Sequence, residues 1–187
     1  MKYLLPIIAI ILIAALYAGT GSLWRNQYDD SYITYRYAVN LAEGRGLVFN
    51  EGERADAASS WLFTVVLAGF YRIGFHNLEL VSFILNMAAV GAIAAFVFLS
   101  AVHLGLWQPA AILLGLIASL HGFISGWSAL GMDTVPFAAL LVMWTYWTFI
   151  DKRMVFSAVL TVLVVLMRFE GMLVLPVWYM TIRHHRV

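Results

Sequence analysis

The chain has 187 residues, of which 63% are hydrophobic and 11% are charged; 11 residues are basic, 10 are acidic, and there is no cysteine. Ordinary soluble domains contain roughly 45–50% apolar and about 25% charged residues, so this composition excludes them and indicates contact with lipid. The lack of cysteine excludes disulfides, thiolate metal sites and cysteine nucleophiles. With a net charge of +1 and no basic run interleaved with aromatic residues, nothing indicates a nucleic-acid partner.

Long apolar runs follow one another through most of the chain. A helix that spans a bilayer needs about 20 mostly apolar residues. The runs that approach this length lie at 3–23, 78–102, 107–126, 134–150, 154–167 and 171–182, with a shorter run at 60–75. We therefore predict an all-α fold, a polytopic transmembrane helical bundle of about six or seven membrane helices, and a multi-pass location in the cell membrane.

Basic residues predict the orientation of this bundle. Lys2, the turn at 151–153 and the cluster at 183–186 mark cytoplasmic ends. We therefore expect a single transmembrane module over 1–187. Its parts are a first span at 1–23 with a cytoplasmic N-terminus, an extracytoplasmic loop at 24–59, and the remaining membrane helices at 60–187. The same rule predicts that 60–75 does not cross the membrane fully.

The extracytoplasmic loop contains a predicted amphipathic helix over about 32–43. Asp30 or Ser31 can cap its first turn, and Gly44 and Gly46 end it. Because this tyrosine-rich helix directly follows a membrane span, we expect it to lie flat at the interface. Its predicted apolar stripe consists of Ile33, Tyr37 and Leu41.

The adjacent carboxylates of Asp29 and Asp30 form the principal candidate site. Two neighbouring like charges raise one pKa, so the pair can act as a general base or bind a cation. The structural alternative is that both residues cap the helix and favour the positive end of its dipole. The spacing alone leaves both interpretations open.

Residues 29–54 resemble the first outer loop of a known enzyme superfamily. They begin Asp-Asp-Ser-Tyr-Ile and continue through Arg-Tyr-Ala, Asn-Leu and Gly-Arg-Gly-Leu-Val-Phe-Asn. This order resembles polytopic glycosyltransferases of the GT-C superfamily, in the branch of mycobacterial arabinofuranosyltransferases and flagellar-motor-control membrane proteins. Residues 128–134 resemble that branch's Ser-Gly-Leu-Glu-Thr pattern with Asp133 in place of Glu. Arg-Phe-Glu-Gly at 168–171 resembles its Arg-Pro-Glu-Gly with Phe169 in place of Pro.

The resemblance implies an enzyme that transfers a sugar from a polyprenyl-phosphate donor to a glycan or protein acceptor outside the cytoplasm. Such an inverting displacement needs a carboxylate that deprotonates the acceptor hydroxyl and positive charge near the departing phosphate. By this analogy Asp29 or Asp30 is the base or a ligand of a divalent cation (Mg²⁺, Mn²⁺ or Ca²⁺). The implied donor-phosphate and substrate residues are Arg36, Arg168, Glu170, Asp133 and Tyr32. Because members of the superfamily are longer, we expect the chain to be the N-terminal part of a longer enzyme.

Several of these residues also have structural interpretations. Asp133 can cap the helix that follows it, Arg168 and Glu170 can pair with each other, and Arg36 can contact lipid headgroups. Two other function classes stay open: a transporter or channel subunit, and a membrane scaffold that recruits partners through the loop helix. The acidic residues concentrate in the outer loop and no internal repeat is evident, which favours the enzyme.

Overall fold

The computed structural model describes residues 29–50, 52 and 60–185. The predicted first span at 1–23 and the parts of the predicted loop at 24–28, 51 and 53–59 lie outside these residues. In the described part the chain is helical, with no strand. The elements are α1 (Asp29–Ala42), α2 (Trp61–Arg72), α3 (Leu78–His103), α4 (Gln108–Leu120), α5 (Gly122–Ala129), α6 (Thr134–Thr145), a π-helical turn (Tyr146–Ile150), α7 (Met154–Met167), a 3₁₀ helix (Phe169–Leu173) and α8 (Val174–His185).

The loop helix predicted over about 32–43 is present as α1. It begins at Asp29, so Asp30 lies within its first turn instead of capping it. Gly44 and Gly46 follow the helix with φ values of 81° and 90°. Glycine adopts this left-handed conformation without a steric penalty, so the predicted end of the helix is confirmed.

The buried face of α1 agrees with the predicted stripe at Tyr37 and differs from it at Ile33. Tyr35, Tyr37 and Ala38 are buried, whereas Ile33 is exposed. The reason is that α1 packs against α2, where Tyr35 and Ala38 join a cluster that includes Phe63. Contact with a neighbouring helix therefore selects the buried face.

Helix α3 is the central element of the described fold. It packs against α4, α5 and α6. Among the described helices it alone is long and apolar enough to cross a membrane, with 26 residues and half of its most apolar window buried inside the protein. This one helix is consistent with membrane association, although buried core helices of soluble proteins can have the same length and composition.

The prediction of about six or seven membrane helices, and with it the multi-pass location, is wrong for the described residues. The other apolar helices have 10–17 residues. At 1.5 Å per residue they reach roughly 15–26 Å, which is short of a hydrocarbon core of about 30 Å. The run at 107–126 is divided at His121, and the run beginning at 154 ends where Arg168 becomes extended (φ −149°, ψ 147°). Hydropathy along the sequence does not register the break at His121, whereas the predicted run at 154–167 already ends before Arg168.

Buried hydrogen bonds hold α1, the start of α3 and the loop before α6 together. The Tyr35 hydroxyl shares a hydrogen bond with Ser82 Oγ (2.5 Å) and donates to the carbonyl of Gly131 (3.3 Å). Asn86 Nδ2 donates to the carbonyl of Met132 (3.0 Å). Burial raises the pKa of Tyr35 to about 12, so its hydroxyl stays protonated and able to donate. These bonds fix the position of the loop that carries Asp133.

A second set of buried polar contacts holds α7 to α6 and the π-helical turn. Trp144 Nε1 donates to Thr161 Oγ1 (2.9 Å), and the hydroxyls of Thr148 and Ser157 share a hydrogen bond (2.6 Å). All four side chains are buried, so each polar group has an internal partner. The C-terminal end of α7 thereby has a defined position, and this end leads into Arg168.

Candidate functional site

Arg168 is the centre of a polar cluster in which two acidic side chains and a hydroxyl meet. Its Nε lies 3.8 Å from Asp133 Oδ2 and 3.6 Å from Glu170 Oε2, and its Nη1 donates to Thr134 Oγ1 (3.5 Å). We call Asp133, Thr134, Arg168 and Glu170 the arginine cluster. Three of the residues singled out in the sequence, Asp133, Arg168 and Glu170, are thus brought together by the fold.

The backbone conformation after α7 determines the position of Arg168. The chain leaves the helix in an extended conformation at Arg168 and re-enters a 3₁₀ helix, where Gly171 N donates to the carbonyl of Arg168 (2.9 Å). Gly171 packs directly against the backbone of Val164, and an added Cβ would collide with the Val164 carbonyl oxygen. The close approach requires glycine, which gives a physical reason for the Gly in the Arg-Phe-Glu-Gly order.

Asp133 is the buried member of the arginine cluster. It precedes α6 but its side chain makes no capping hydrogen bond, so the predicted alternative role as a helix cap is not realised. Burial raises the pKa of Asp133, and the positive charge of Arg168 and a hydrogen bond with Ser60 partly oppose this shift. Burial therefore outweighs the attraction of Arg168, and within the described residues Asp133 Oδ2 has no hydrogen-bond partner.

We expect the substitution Asp133→Asn to change stability in a pH-dependent way. A raised pKa in the folded state means that the protonated side chain of Asp133 stabilises the fold fully below the unfolded pKa of about 3.9, and that this contribution is lost as the pH rises through the folded pKa. The variant should be at least as stable as the wild type near pH 7 and relatively less stable near pH 4. Thermal unfolding of both proteins across this range measures the difference. A difference that does not vary with pH would contradict the assignment, and Glu170→Gln, with its exposed carboxylate, is the control.

The guanidinium of Arg168 retains capacity to bind an anion. Its side chain is 27% exposed, and its Cζ lies 5.8 Å from the centroid of the Phe137 ring, within range of a cation–π contact. A guanidinium carries five N–H donors in a planar fork, and the contacts within the arginine cluster use Nε and Nη1. Phosphate and carboxylate match this fork in geometry.

An apolar groove of about 400 Å³ begins beside the arginine cluster. Three of its lining residues, Phe63, Pro136 and Met167, lie within three positions of Ser60, Asp133 and Arg168, respectively. The cluster therefore lies at one end of the groove. Every lining residue is apolar: Leu62, Phe63, Val66, Leu85, Ala88, Ala89, Ala92, Pro136, Ala139, Leu140, Met143, Leu163 and Met167.

Asp29 and Asp30 lie in the first turn of α1 and are both exposed. Within the described residues neither makes a hydrogen bond or an ion pair. Consecutive residues on a helix project about 100° apart and do not face each other, so this pair alone does not converge on one cation. In residues 29–50, 52 and 60–185 no group of three or more histidines or acidic residues could hold a metal ion. The carboxylates of Asp29 and Asp30 alone therefore do not form a suitable set of metal ligands. Metal dependence stays a prediction from the sequence.

Tyr32 and Arg36 are engaged elsewhere on α1. The Tyr32 hydroxyl donates to Glu79 Oε1 at the start of α3 (2.7 Å), and this bond raises the pKa of Tyr32. Arg36 Nε donates to the carbonyl of Phe49 (3.3 Å) and so braces the loop that follows α1. In the described part of the chain no hydrogen bond or ion pair links either residue to Arg168.

Sequence reasoning missed the polar residues that support the site and the groove itself. Ser82 and Asn86 are fully buried and lie one turn apart in an otherwise apolar run. Polar residues at that spacing in an apolar helix indicate a buried hydrogen-bonded contact, so this signal was available. The groove had no such signal, because its lining comes from four helices that are separated in the sequence.

The described residues form a helical fold in which an arginine–carboxylate cluster lies beside one end of an open apolar groove. No family model, curated protein or solved structure matches the chain. Membership of the GT-C superfamily therefore stays a prediction from the sequence motifs at 29–54, 128–134 and 168–171.

Proposed function

We propose that the chain is a membrane-associated glycosyltransferase that takes a sugar from a polyprenyl-phosphate donor and passes it to a glycan or protein acceptor on the extracytoplasmic side. The observation that supports this most is the position of Arg168 at the end of an apolar groove. A ligand that fits both features has an anionic head and a long apolar tail. A lipid-linked sugar phosphate has this structure.

In the proposed complex the donor phosphate binds Arg168 through a bidentate pair, and Asp133 and Glu170 hold the guanidinium in position. The groove volume of about 400 Å³ is typical of a pocket for a drug-sized ligand. It therefore holds only the isoprene units nearest the phosphate, and the rest of the tail extends into the bilayer.

The transfer step is a displacement at the anomeric carbon of the donor sugar. The acceptor hydroxyl oxygen forms the new bond to this carbon while the bond between the carbon and the phosphate oxygen breaks. The electron pair leaves on the polyprenyl phosphate, whose charge Arg168 stabilises. Asp29 or Asp30 takes the hydroxyl proton as general base. The proposed reaction contains no metal-dependent step.

The apolar lining of the groove also bears on the alternative functions. A transporter or channel subunit would need polar or charged groups along its substrate path, whereas this groove is lined by apolar residues throughout. The lining favours a lipid tail. The remaining alternative is a membrane scaffold without enzymatic activity. The transfer assay distinguishes this scaffold from an enzyme.

The direct test is a transfer assay with the full chain in membranes and a panel of polyprenyl-phosphate sugars. We expect at least one donor to give transfer to an acceptor with release of the polyprenyl phosphate. Binding of polyprenyl phosphate without transfer from any donor would indicate a lipid-binding scaffold. Neither binding nor transfer would remove the proposal.

The substitution Ala88→Phe tests the groove. Ala88 lines the groove and is itself exposed, so a larger side chain there fills the space without displacing the core. We expect KM for a long-chain donor to rise about tenfold, which corresponds to roughly 1.4 kcal/mol of lost binding, with little change for a short-chain donor. Val159→Phe, on the exposed face of α7 and outside the groove, is the matched control. Equal effects on both donors would contradict tail binding.

A further inference from the structure

A second cavity, of about 330 Å³, lies where α1 meets the turn between α2 and α3. Its lining residues are Tyr35, His76, Asn77, Leu78 and Glu79, and we call it the polar pocket. The turn has a defined shape, because Gly74 adopts a φ of 103° and Phe75 N donates to the carbonyl of Phe70 (3.0 Å). The pocket is therefore a formed feature of the fold.

The polar pocket combines several hydrogen-bonding groups with an apolar wall. Glu79 offers a carboxylate, His76 a ring that can donate and accept, and Asn77 an amide whose oxygen already accepts from Leu80 N (2.9 Å). The side-chain NH₂ group of Asn77 is a hydrogen-bond donor. Tyr35 and Leu78 supply the apolar surface. A few polar groups around an apolar wall in a cavity of this size are typical of a site for a small polar ligand.

The charges of the polar pocket favour a neutral ligand. Its lining contains the acidic Glu79 and the imidazole of His76, but neither lysine nor arginine. An anionic sugar phosphate would meet the negative charge of Glu79 with no cation in the lining to offset it, whereas in the arginine cluster Arg168 offsets part of the charge of Asp133 and Glu170. The two sites thus differ in the chemistry that they accept: phosphate at one, uncharged hydroxyl groups at the other.

Contacts at both edges connect the polar pocket to the proposed reaction. Tyr32 donates to Glu79 in the pocket and lies close enough to Asp29 for that charge to help raise the pKa of its hydroxyl. Tyr35 lines the pocket and donates to the carbonyl of Gly131, two residues before Asp133. The pocket therefore lies between the candidate base on α1 and the loop of the arginine cluster.

From this geometry we infer that the polar pocket binds a neutral sugar unit of the acceptor through Glu79, Asn77 and His76. The assignment of this sugar to the acceptor rests on the proposed function. The presence of a neutral-sugar site does not depend on it.

The test measures binding of a panel of neutral pyranosides and furanosides to the full chain in nanodiscs. Ligand-observed NMR detects the binding. We expect at least one sugar to bind, and Glu79→Gln to weaken it about tenfold or more. His76→Ala should weaken binding as well, as a second variant that leaves the Tyr32–Glu79 bond in place. Asp151→Asn is the matched control, because it removes one negative charge at a carboxylate that pairs with Arg153 outside both sites, and sugar binding should be unchanged in it. Binding of no sugar, or full binding in both pocket variants, would overturn the inference.

Transfer kinetics distinguish failure of this inference from failure of the proposed function. Sugar binding that depends on Glu79, without transfer from any donor, supports the pocket and removes the enzyme. Transfer with an unchanged acceptor KM in both Glu79→Gln and His76→Ala removes the pocket and keeps the enzyme. A higher acceptor KM in these variants, with donor KM unchanged, supports both.

Discussion

Arg168→Ala is expected to reduce kcat/KM for a long-chain polyprenyl-phosphate sugar by at least about 100-fold. The guanidinium stabilises the charge that develops on the departing phosphate, and loss of one such group typically costs about 10²–10³ in rate. Steady-state transfer from the donor identified in the panel assay measures the effect. Arg168→Lys should fall between the wild type and the alanine variant, because lysine keeps the charge but loses the planar fork.

Two controls separate lost chemistry from lost stability in this experiment. Arg168→Ala leaves Asp133 buried with less compensating charge, so the single variant is also expected to be less stable. Adding Asp133→Asn should recover stability without recovering transfer. Arg183→Ala removes an exposed arginine of α8 whose guanidinium lies over Tyr179, and transfer should be unchanged. Transfer by Arg168→Ala within a few-fold of the wild type would contradict the donor site.

Among the acidic variants, we expect either Asp29→Asn or Asp30→Asn to lower kcat by about 10²–10⁴, the range for loss of a general base. The other should lose much less, because neighbouring side chains on a helix point in different directions. Single-turnover transfer at saturating donor measures the chemical step directly. The variant with the large effect identifies the base.

The folding of both variants should match the wild type. Each side chain is exposed and makes no hydrogen bond or ion pair within the described residues. Asp151→Asn is the matched control, since it makes the same change at a carboxylate that pairs with Arg153 away from the arginine cluster (2.7 Å). Unchanged turnover in both α1 variants would end the assignment of the base, while the lipid site at Arg168 would be tested separately by its own variants.

In the loop helix, local sequence determines where the helix ends, and packing determines which of its residues are buried. The glycines after residue 43 and the four-residue spacing of Ile33, Tyr37 and Leu41 predicted a helix that ends before Gly44, and α1 does so. These are interactions between residues close in sequence. The whole buried face was not predictable in the same way. Tyr35 is buried in a cluster with Phe63, which lies on another helix and is distant in the sequence.

The membrane spans illustrate the same limit in a different form. Summed hydropathy identified the apolar run of α3 correctly, since a continuous helix of 26 residues follows that run closely. It overestimated the others, because their helices have only 10–17 residues and because His121 divides the run at 107–126 without interrupting its apolar character by much. Whether a run is one helix or two depends on backbone geometry that hydropathy does not measure.

Composition and local pattern were sufficient for the helical class and for the end of α1 at its glycines, and the resemblance of residues 128–134 and 168–171 to known motifs led to the choice of Asp133, Arg168 and Glu170. Only the folded structure could place Asp133 against Arg168, 35 positions later in the chain, and assemble a groove from four separate helices. Helix propensity and turn chemistry act over a few neighbouring residues, so they can be recognised along the chain. Contacts between distant residues depend on how all the helices pack at once, and the arginine cluster, the groove and the polar pocket all arise from that packing.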